Sequence, residues 1–517
     1  MDKTKVGEKM IDSRIEKTKK NFIYAVILQI TKILFVFINR IIFVKILGPV
    51  YLGINGLFSN ILSMLSIADL GITTAMMYSL YKPLAEHDED KISMYIRYFK
   101  KMYNVIAVIV FLSGILLIPF LKYMVNLPEE INNIYLYYII LVINTALTYL
   151  FVYKTTLLSA DQKMYIINKY DTIFQFVLFV LQIIVLLTTK SFSLYLISNL
   201  LCTVLGNVCK AKKTDEIYPY LKENKSIISK EEKKEIFTNI KSLFLYKIGG
   251  VLQSNTDNIL TSIFVGTIVV GYYSNYSTII ITITTFVSLV YTSVKASVGN
   301  YVNTQKKEEQ LKLFNILEIF NFWIVGFCYI CFMELIPPFI EICFGKEYLL
   351  SKSVLIWICL NFYTSNIRQT LWAYRETTGM YNNSIKYVTI VTAIINIILS
   401  IVLGKYFGLN GILSATVISR MIYAWWKEPK IIFNEYFKKS SKEYFIKYII
   451  RLLYACIIVV IIEFGWKYVK ISNIYISFLT KILITAIISS ILLILPYVKS
   501  DAIIYIKKLV KKGQKNV

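Results

Sequence analysis

The residues of this chain that could do chemistry are cations set inside apolar stretches. They are Lys32, Arg40, Lys247, Lys295 and Arg368, with Asp69 and Asp257 as acidic counterparts. An ionised side chain at the centre of a membrane helix costs about 2.5–3.5 kcal/mol on insertion scales, so such groups face a bundle interior or a wet cavity. At a period of 3.6 residues, Lys247, Ser254, Asp257, Asn258 and Thr261 share one side of a helix. Gln29, Lys32, Asn39 and Arg40 fall on roughly one side of an earlier helix, and Asn55, Ser59, Ser66, Asp69 and Thr73 on a face of the next. Ser274, Thr278, Thr285, Ser288, Thr292 and Lys295 make a further stripe. Ammonium and guanidinium groups so placed suit an anionic group held by charge-assisted hydrogen bonds. The neutral stripes suit hydroxyls. Asp69 and Asp257 either neutralise these cations or bind a coupling H⁺ or Na⁺. The bland alternative for each lysine is snorkelling, in which a long side chain near a span end reaches the interface. That alternative weighs most on Lys295 and on Arg420. Glu318, Glu334 and Glu463 read as interface markers near span ends.

The elements that must carry these residues are membrane helices. Hydrophobic residues make up 56% of the 517, in continuous runs near twenty long, so the fold class is an all-α polytopic membrane protein. Continuous rather than alternating runs set aside a transmembrane barrel. The net charge of +25 is concentrated in alternate loops, as cytoplasmic faces require, and so speaks for topology rather than nucleic-acid binding. The seven cysteines lie mostly in apolar segments, and His87 is the single histidine. A CxxC at Cys328 and Cys331 without a second pair, inside a span, does not make a zinc site. No metal or cofactor is expected.

The basic loops fit fourteen spans with both termini cytoplasmic. Residues 1–209 form an N-lobe of six spans and 210–236 a basic cytoplasmic linker. Residues 237–426 form a C-lobe of six spans, and 427–517 hold spans thirteen and fourteen with a basic tail. The two lobes open alike. The first span ends at Gly48 with Gly53 five residues later, and the seventh ends at Gly266 with Gly271 five residues later. Even-numbered halves repeat with one orientation, as in transporters built from parallel repeats. No outer loop is long enough for an extracytoplasmic enzyme domain, so the chain is read as a non-enzyme.

Several segments carry a family likeness, in family order. These are SNILSMLSIADLGITTAMMYSLYKPLAEHDEDKI (59–92), LLSADQKMY (157–165), TDNILTSIFVGTIVVGYYSNY (256–276), ASVGN (296–300), FGKEYLLSKSVLIW (344–357), RQTLWAYRETTGMY (368–381) and FGLNGILSATVIS (407–419). Together they resemble bacterial Wzx-type polysaccharide flippases of the multidrug/oligosaccharidyl-lipid/polysaccharide exporter superfamily. The resemblance implies a multi-pass, monomeric transporter of the bacterial cytoplasmic membrane with two lobes around a cationic cavity. By alternating access it would flip an undecaprenyl-pyrophosphate-linked oligosaccharide to the outer leaflet, for cell-surface polysaccharide biosynthesis. Its partners would be that lipid-linked substrate, membrane lipid and the polysaccharide polymerase and assembly machinery. On this reading Lys32, Arg40, Lys247, Lys295 and Arg368 bind the headgroup. The chain departs from its relatives in using lysines where they often use arginine, a point charge in place of a bidentate fork. A cation-coupled exporter of drugs or small molecules from the same superfamily is the alternative; a cavity of basic residues would repel cationic drugs.

Overall fold

The computed structural model describes residues 3–500 except 70, 128–130, 223–227, 381–384 and 470. The side chains of residues 3–19, of Ser254 and of a few other helical positions, and the basic tail beyond 500, lie outside the described residues. Among the described residues the secondary structure is helical throughout. The helices are α1 (Lys3–Leu65), α2 (Ile72–Glu86), α3 (Glu89–Leu116), α4 (Leu121–Met124), α5 (Ile134–Ala160), α6 (Met164–Thr189), α7 (Phe192–Ile217) and α8 (Lys230–Phe264). They continue with α9 (Thr267–Thr304), α10 (Lys307–Phe344), α11 (Lys352–Asn366), α12 (Gln369–Thr377), α13 (Ile385–Ser419), α14 (Trp425–Ile431), α15 (Lys442–Trp466) and α16 (Ile474–Ile494).

Ten described helical runs are long and apolar enough to cross a membrane. The chain is a multi-pass membrane protein. α6 illustrates why: its 26 residues reach about 39 Å at 1.5 Å per residue, more than a hydrocarbon core of about 30 Å. Its exposed face is Ile173, Phe176, Val177, Val180, Ile184 and Leu187, a stripe at helical spacing suited to lipid. Two of the ten runs, Ile23–Leu65 and Tyr387–Phe437, are far longer than one crossing needs. Each contains a glycine that breaks helical geometry, Gly48 (φ 81°) in the first and Gly408 (φ 57°) in the second.

The chain divides into two compact units, Met1–Gly271 and Tyr272–Val517. The sequence reading set the lobe boundary earlier, in the hydrophilic segment 210–236. In the first unit, α1 packs on α6, α3 on α5 and α5 on α7. A core of Met76, Phe99, Tyr103, Tyr153 and Leu157 forms between α2, α3 and α5. The described parts of the hydrophilic segment fold onto this unit. Tyr218 and Ile228 join its core, and the Tyr218 hydroxyl donates to Asp161 Oδ2 at 2.6 Å. Burial, then the Asp161 carboxylate, raise the Tyr218 phenol well above its ordinary pKa. Ser229 and Glu232 close a capping box that starts α8, and Tyr95 donates to Glu232 at 3.2 Å.

Glycines set the closest approach in this unit. A methyl built on Gly53 would lie 2.0 Å from the Thr267 carbonyl oxygen, and one on Gly271 would lie 2.5 Å from the Pro49 carbonyl oxygen. The backbones of α1 and the first turn of α9 therefore touch, as small residues permit between membrane helices. The two halves of the glycine echo meet each other.

In the second unit, α10 is the central post, with α11, α15 and α16 against it. α15 and α16, the sequence's spans thirteen and fourteen, dock through ion pairs. Arg451 Nη1 lies 3.3 Å from Glu318 Oε2, and Lys481 Nζ lies 2.9 Å from Glu334 Oε2. Glu318 and Glu334 are almost fully buried. They are packing ion pairs and not the interface markers expected of them. Glu463 pairs with Lys352.

Two apolar stretches, each long enough in sequence to be one span of its lobe, are broken as helices. Span two (54–81) is interrupted by a 3₁₀ turn, Ser66–Asp69, and by Gly71 at φ 95°. A methyl on Gly71 would meet Leu243 Cβ at 2.8 Å and the Ile240 carbonyl oxygen at 3.0 Å, so α8 crosses at the break. Span ten (353–374) is interrupted between α11 and α12. The freed carbonyls of Asn366 and Ile367 accept from Asn321 Nδ2 at 3.3 and 2.7 Å. A break at membrane depth survives where neighbouring protein satisfies the backbone in this way.

Candidate functional site

The sequence-identified residues fall into four environments. The first is the break in span two. There Asp69 ends the 3₁₀ turn, and Thr73, in the first turn of α2, directs its hydroxyl at the Asp69 carboxylate at 3.4–3.5 Å and at the Tyr103 hydroxyl at 2.8 Å. Lys247, on α8, donates to Thr74 Oγ1 at 2.8 Å and is within electrostatic reach of Asp69. Asp69 and Lys247, 178 positions apart in the chain, are thus brought together with three hydroxyls around them. The close passage of α8 over Gly71 places them. An ammonium held by a neutral hydroxyl near a carboxylate exchanges its partner readily, which suits a group that must meet an anion and release it.

The second environment surrounds Arg40. A cavity of about 260 Å³ opens between α1, α6 and α7. Its polar lining is Asn39, Arg40, Asn55, Gln175, Gln182, Tyr195 and Asn199, with Phe35, Phe43 and Phe179 among the apolar walls. Asn39 Nδ2 donates to Gln182 Oε1 at 2.6 Å and to the Tyr195 hydroxyl at 3.1 Å. Arg40 is within electrostatic reach of Tyr195. Rings brace the walls, Phe35 stacking on Phe179 at 4.4 Å and Phe43 meeting Tyr195 edge-on at 4.9 Å. Lys32 lies two turns before Arg40 on α1, with an exposed side chain. Asp257 is 7% exposed on α8, two to three turns beyond Lys247.

The remaining two lie in the second unit. Lys295 on α9 forms an ion pair with Glu376 at 2.7 Å, both side chains half-exposed. Arg368, 6% exposed, donates to Glu428 Oε2 at 3.0 Å, and Arg375 donates to Glu428 Oε1 at 3.0 Å. Trp372 Nε1 donates to Glu428 Oε2 at 3.3 Å, and its ring lies under both guanidinium groups at 5.1 and 5.8 Å. The three α12-side residues reach one carboxylate because positions 368, 372 and 375 share a helix face. Arg420, expected to snorkel, is instead buried. Its Nη1 donates to Asn361 Oδ1 at 2.9 Å and Thr364 Oγ1 at 2.7 Å, and it opens a π-helical turn, Arg420–Ala424.

Sequence reasoning did not single out Gln175, Gln182, Tyr195 and Asn199, or Glu428. Three of the first four left a signal: polar side chains at 175, 182 and 199 inside apolar helices. Glu428 left none, because its partners are more than fifty positions away and it resembles an ordinary cytoplasmic-loop glutamate.

No protein-family model matches the sequence, and no curated protein does. Solved structures do match. The chain is similar to a lipid II flippase MurJ in an inward closed conformation, with a TM-score of 0.69 and 15% identity over 92% of this chain and 99% of that one. It is similar to an inward-facing multidrug resistance MATE family transporter of the MOP superfamily, with a TM-score of 0.58 and 14% identity over 78% of this chain and 95% of the other. A MOP superfamily transporter from Pyrococcus furiosus, described as having a binding pocket of reverse polarity, matches with a TM-score of 0.52 and 12% identity over 79% of this chain and 93% of its own. The chain has the fold that the transporters of the MOP superfamily share.

Proposed function

We propose that this protein is a MOP-superfamily transporter of the bacterial cytoplasmic membrane. Its substrate is an undecaprenyl-pyrophosphate-linked oligosaccharide, flipped from the inner to the outer leaflet by alternating access through a cationic cavity, for cell-surface polysaccharide biosynthesis. One observation carries the reading. The likeness to a lipid II flippase extends over 92% of the chain, whereas the likeness to the MATE multidrug transporter stops at 78%. The additional share favours a lipid-linked substrate over a free small molecule. The fourteen-span plan with cytoplasmic termini, the 6+6+2 division and a non-enzymatic role belong to the same proposal.

The headgroup of such a substrate is an anionic pyrophosphate with a polar glycan, which cannot cross hydrocarbon unaided. Arg40 and Lys247 are the cations best placed to meet it, since each lies among neutral polar side chains that suit sugar hydroxyls. Lys32 is the exposed approach on the same helix as Arg40. Lys295 is paired with Glu376 inside the second unit. Asp69, beside Lys247, is the counter-charge that a coupling H⁺ or Na⁺ would neutralise, with Asp257 in the same role further along α8. Arg368 is spoken for by Glu428, which supports a structural part for it.

The test replaces Arg40 and Lys247 with alanine, singly and together, and follows cell-surface glycan alongside the amount of protein in the membrane. The proposal expects normal protein, loss of surface glycan and lipid-linked intermediate accumulating inside. Normal surface glycan with normal protein removes both residues from the mechanism. Glycan left intact by deletion of the whole gene moves the small-molecule exporter ahead.

A further inference from the structure

The cavity around Arg40 has a composition that points to a ligand class of its own. Its seven polar side chains comprise five carboxamides, one phenol and one guanidinium, and no carboxylate among the described residues lines it. The wall therefore carries net positive charge, which disfavours a cation. Carboxamides both donate and accept, the pairing that hydroxyl groups need. Asn39 Oδ1 is buried there without a hydrogen-bond partner among the described residues, and a buried acceptor left so is costly unless a donor arrives. The volume of about 260 Å³ is well above the roughly 10–15 Å³ that admits a single water, so the site is too large for a lone halide or proton carrier. The Phe35–Phe179 stack supplies apolar faces beside the polar groups.

We infer that this cavity is a binding site for an anionic, hydroxyl-rich group the size of one sugar unit, with Arg40 facing the charge and Gln175, Gln182, Tyr195 and Asn199 the hydroxyls. It rests on the transport reading only for its natural ligand. Two sources share the chemistry, an acidic sugar of a lipid-linked glycan and the glycerol-phosphate headgroup of a membrane lipid. In either case the first unit alone reads the headgroup, by a site on α1, α6 and α7 distinct from the Asp69–Lys247 cluster.

The experiment uses the full chain in phosphatidylcholine nanodiscs and D-glucuronate as the probe, read by saturation-transfer NMR, with D-glucose as the uncharged control. Glucuronate binds the wild type, glucose binds about ten-fold more weakly or not at all, and Gln182→Leu weakens glucuronate binding about ten-fold, as expected for lost hydrogen bonds to a buried polar ligand. Asn199→Leu, at a half-buried wall position, serves the same purpose should Gln182→Leu fail to accumulate. No glucuronate signal from the wild type overturns the site, as does equal binding of glucose. Unchanged binding by both variants overturns it too, since the probe then sits elsewhere. Adding phosphatidylglycerol identifies the source: competition beyond that of phosphatidylserine at equal surface charge assigns the lipid headgroup, and its absence assigns the glycan. Glucuronate binding alongside a negative surface-glycan test keeps the site and removes the flippase. The reverse outcome removes the site alone.

Discussion

The two units handle intramembrane polarity in different ways. In the second, buried carboxylates among the described residues pair with buried or half-buried cations. Glu428 takes two arginines, Arg451 meets Glu318 and Lys481 meets Glu334. In the first, Arg40 borders a cavity whose other polar walls are neutral, and Lys247 is held by a threonine hydroxyl. The desolvation cost of an ion in the membrane is similar for both. What differs is who bears it. A buried cation closed off by a carboxylate has no valence left for a ligand and fixes helices together. A cation on the wall of a cavity of neutral donors and acceptors sits beside room for a ligand. A charge inside an apolar span is therefore evidence of a site only when its neighbours leave it something to bind.

The widest breach of that contrast is Glu428→Ala. It leaves Arg368 and Arg375 buried beside each other without their shared carboxylate, and breaking a buried pair on one side costs about 3–5 kcal/mol. The expected result is a large fall in the thermal unfolding temperature of the purified protein and in its membrane abundance. Replacing all three with Met should recover most of that stability, because well-packed apolar groups often replace a buried ion cluster without loss. Should Glu428→Ala instead fold normally and lose transport alone, the cluster is functional and the contrast between the units fails.

A smaller effect sharpens the comparison from the side of the first unit, where the backbones of α1 and the first turn of α9 touch. Gly53→Ala pushes a methyl into the Thr267 carbonyl at 2.0 Å. Overpacking of this kind costs roughly 1–3 kcal/mol. Unfolding temperature should fall, and Gly271→Ala, at 2.5 Å from the Pro49 carbonyl, should fall with it. The double variant should cost less than the sum, since the two methyls disturb one contact and coupled neighbours are not additive. Full additivity would mean that α1 and α9 yield independently.

Much of this was legible in the residues. The apolar runs gave a polytopic helical chain, and the second glycine of each echo, Gly53 and Gly271, marked positions that prove to touch. Asp69 and Lys247 stood out as ions in apolar sequence, though nothing in the spacing could join them, because their meeting depends on how α8 crosses Gly71. The breaks at 66–71 and 367–368 were hidden for a related reason: hydropathy continues through them, and what fits them comes from other helices, the close passage of Ile240 and Leu243 over Gly71 and the carboxamide of Asn321 on the freed carbonyls. Arg40 and Arg368 looked alike as cations in apolar spans. Only their distant neighbours, Gln182 and Tyr195 for one and Glu428 for the other, separate a cavity wall from a clamp.

The smallest change in stability belongs to Gln182→Leu, and it is the most discriminating. Gln182 is 5% exposed and accepts from Asn39 at 2.6 Å. A neutral hydrogen bond contributes about 0.5–1.5 kcal/mol net, and Asn39 Nδ2 keeps the Tyr195 hydroxyl as a second acceptor. The unfolding temperature should therefore shift far less than for Glu428→Ala, with membrane abundance preserved. Surface glycan should nevertheless drop. A site that exists to bind shows its loss in function at little cost in stability, whereas a site that exists to hold helices shows the opposite order. If Gln182→Leu costs as much stability as Glu428→Ala while sparing glycan, the Arg40 cavity is a packing defect bridged by amides, and both units use their polar groups for the same structural end.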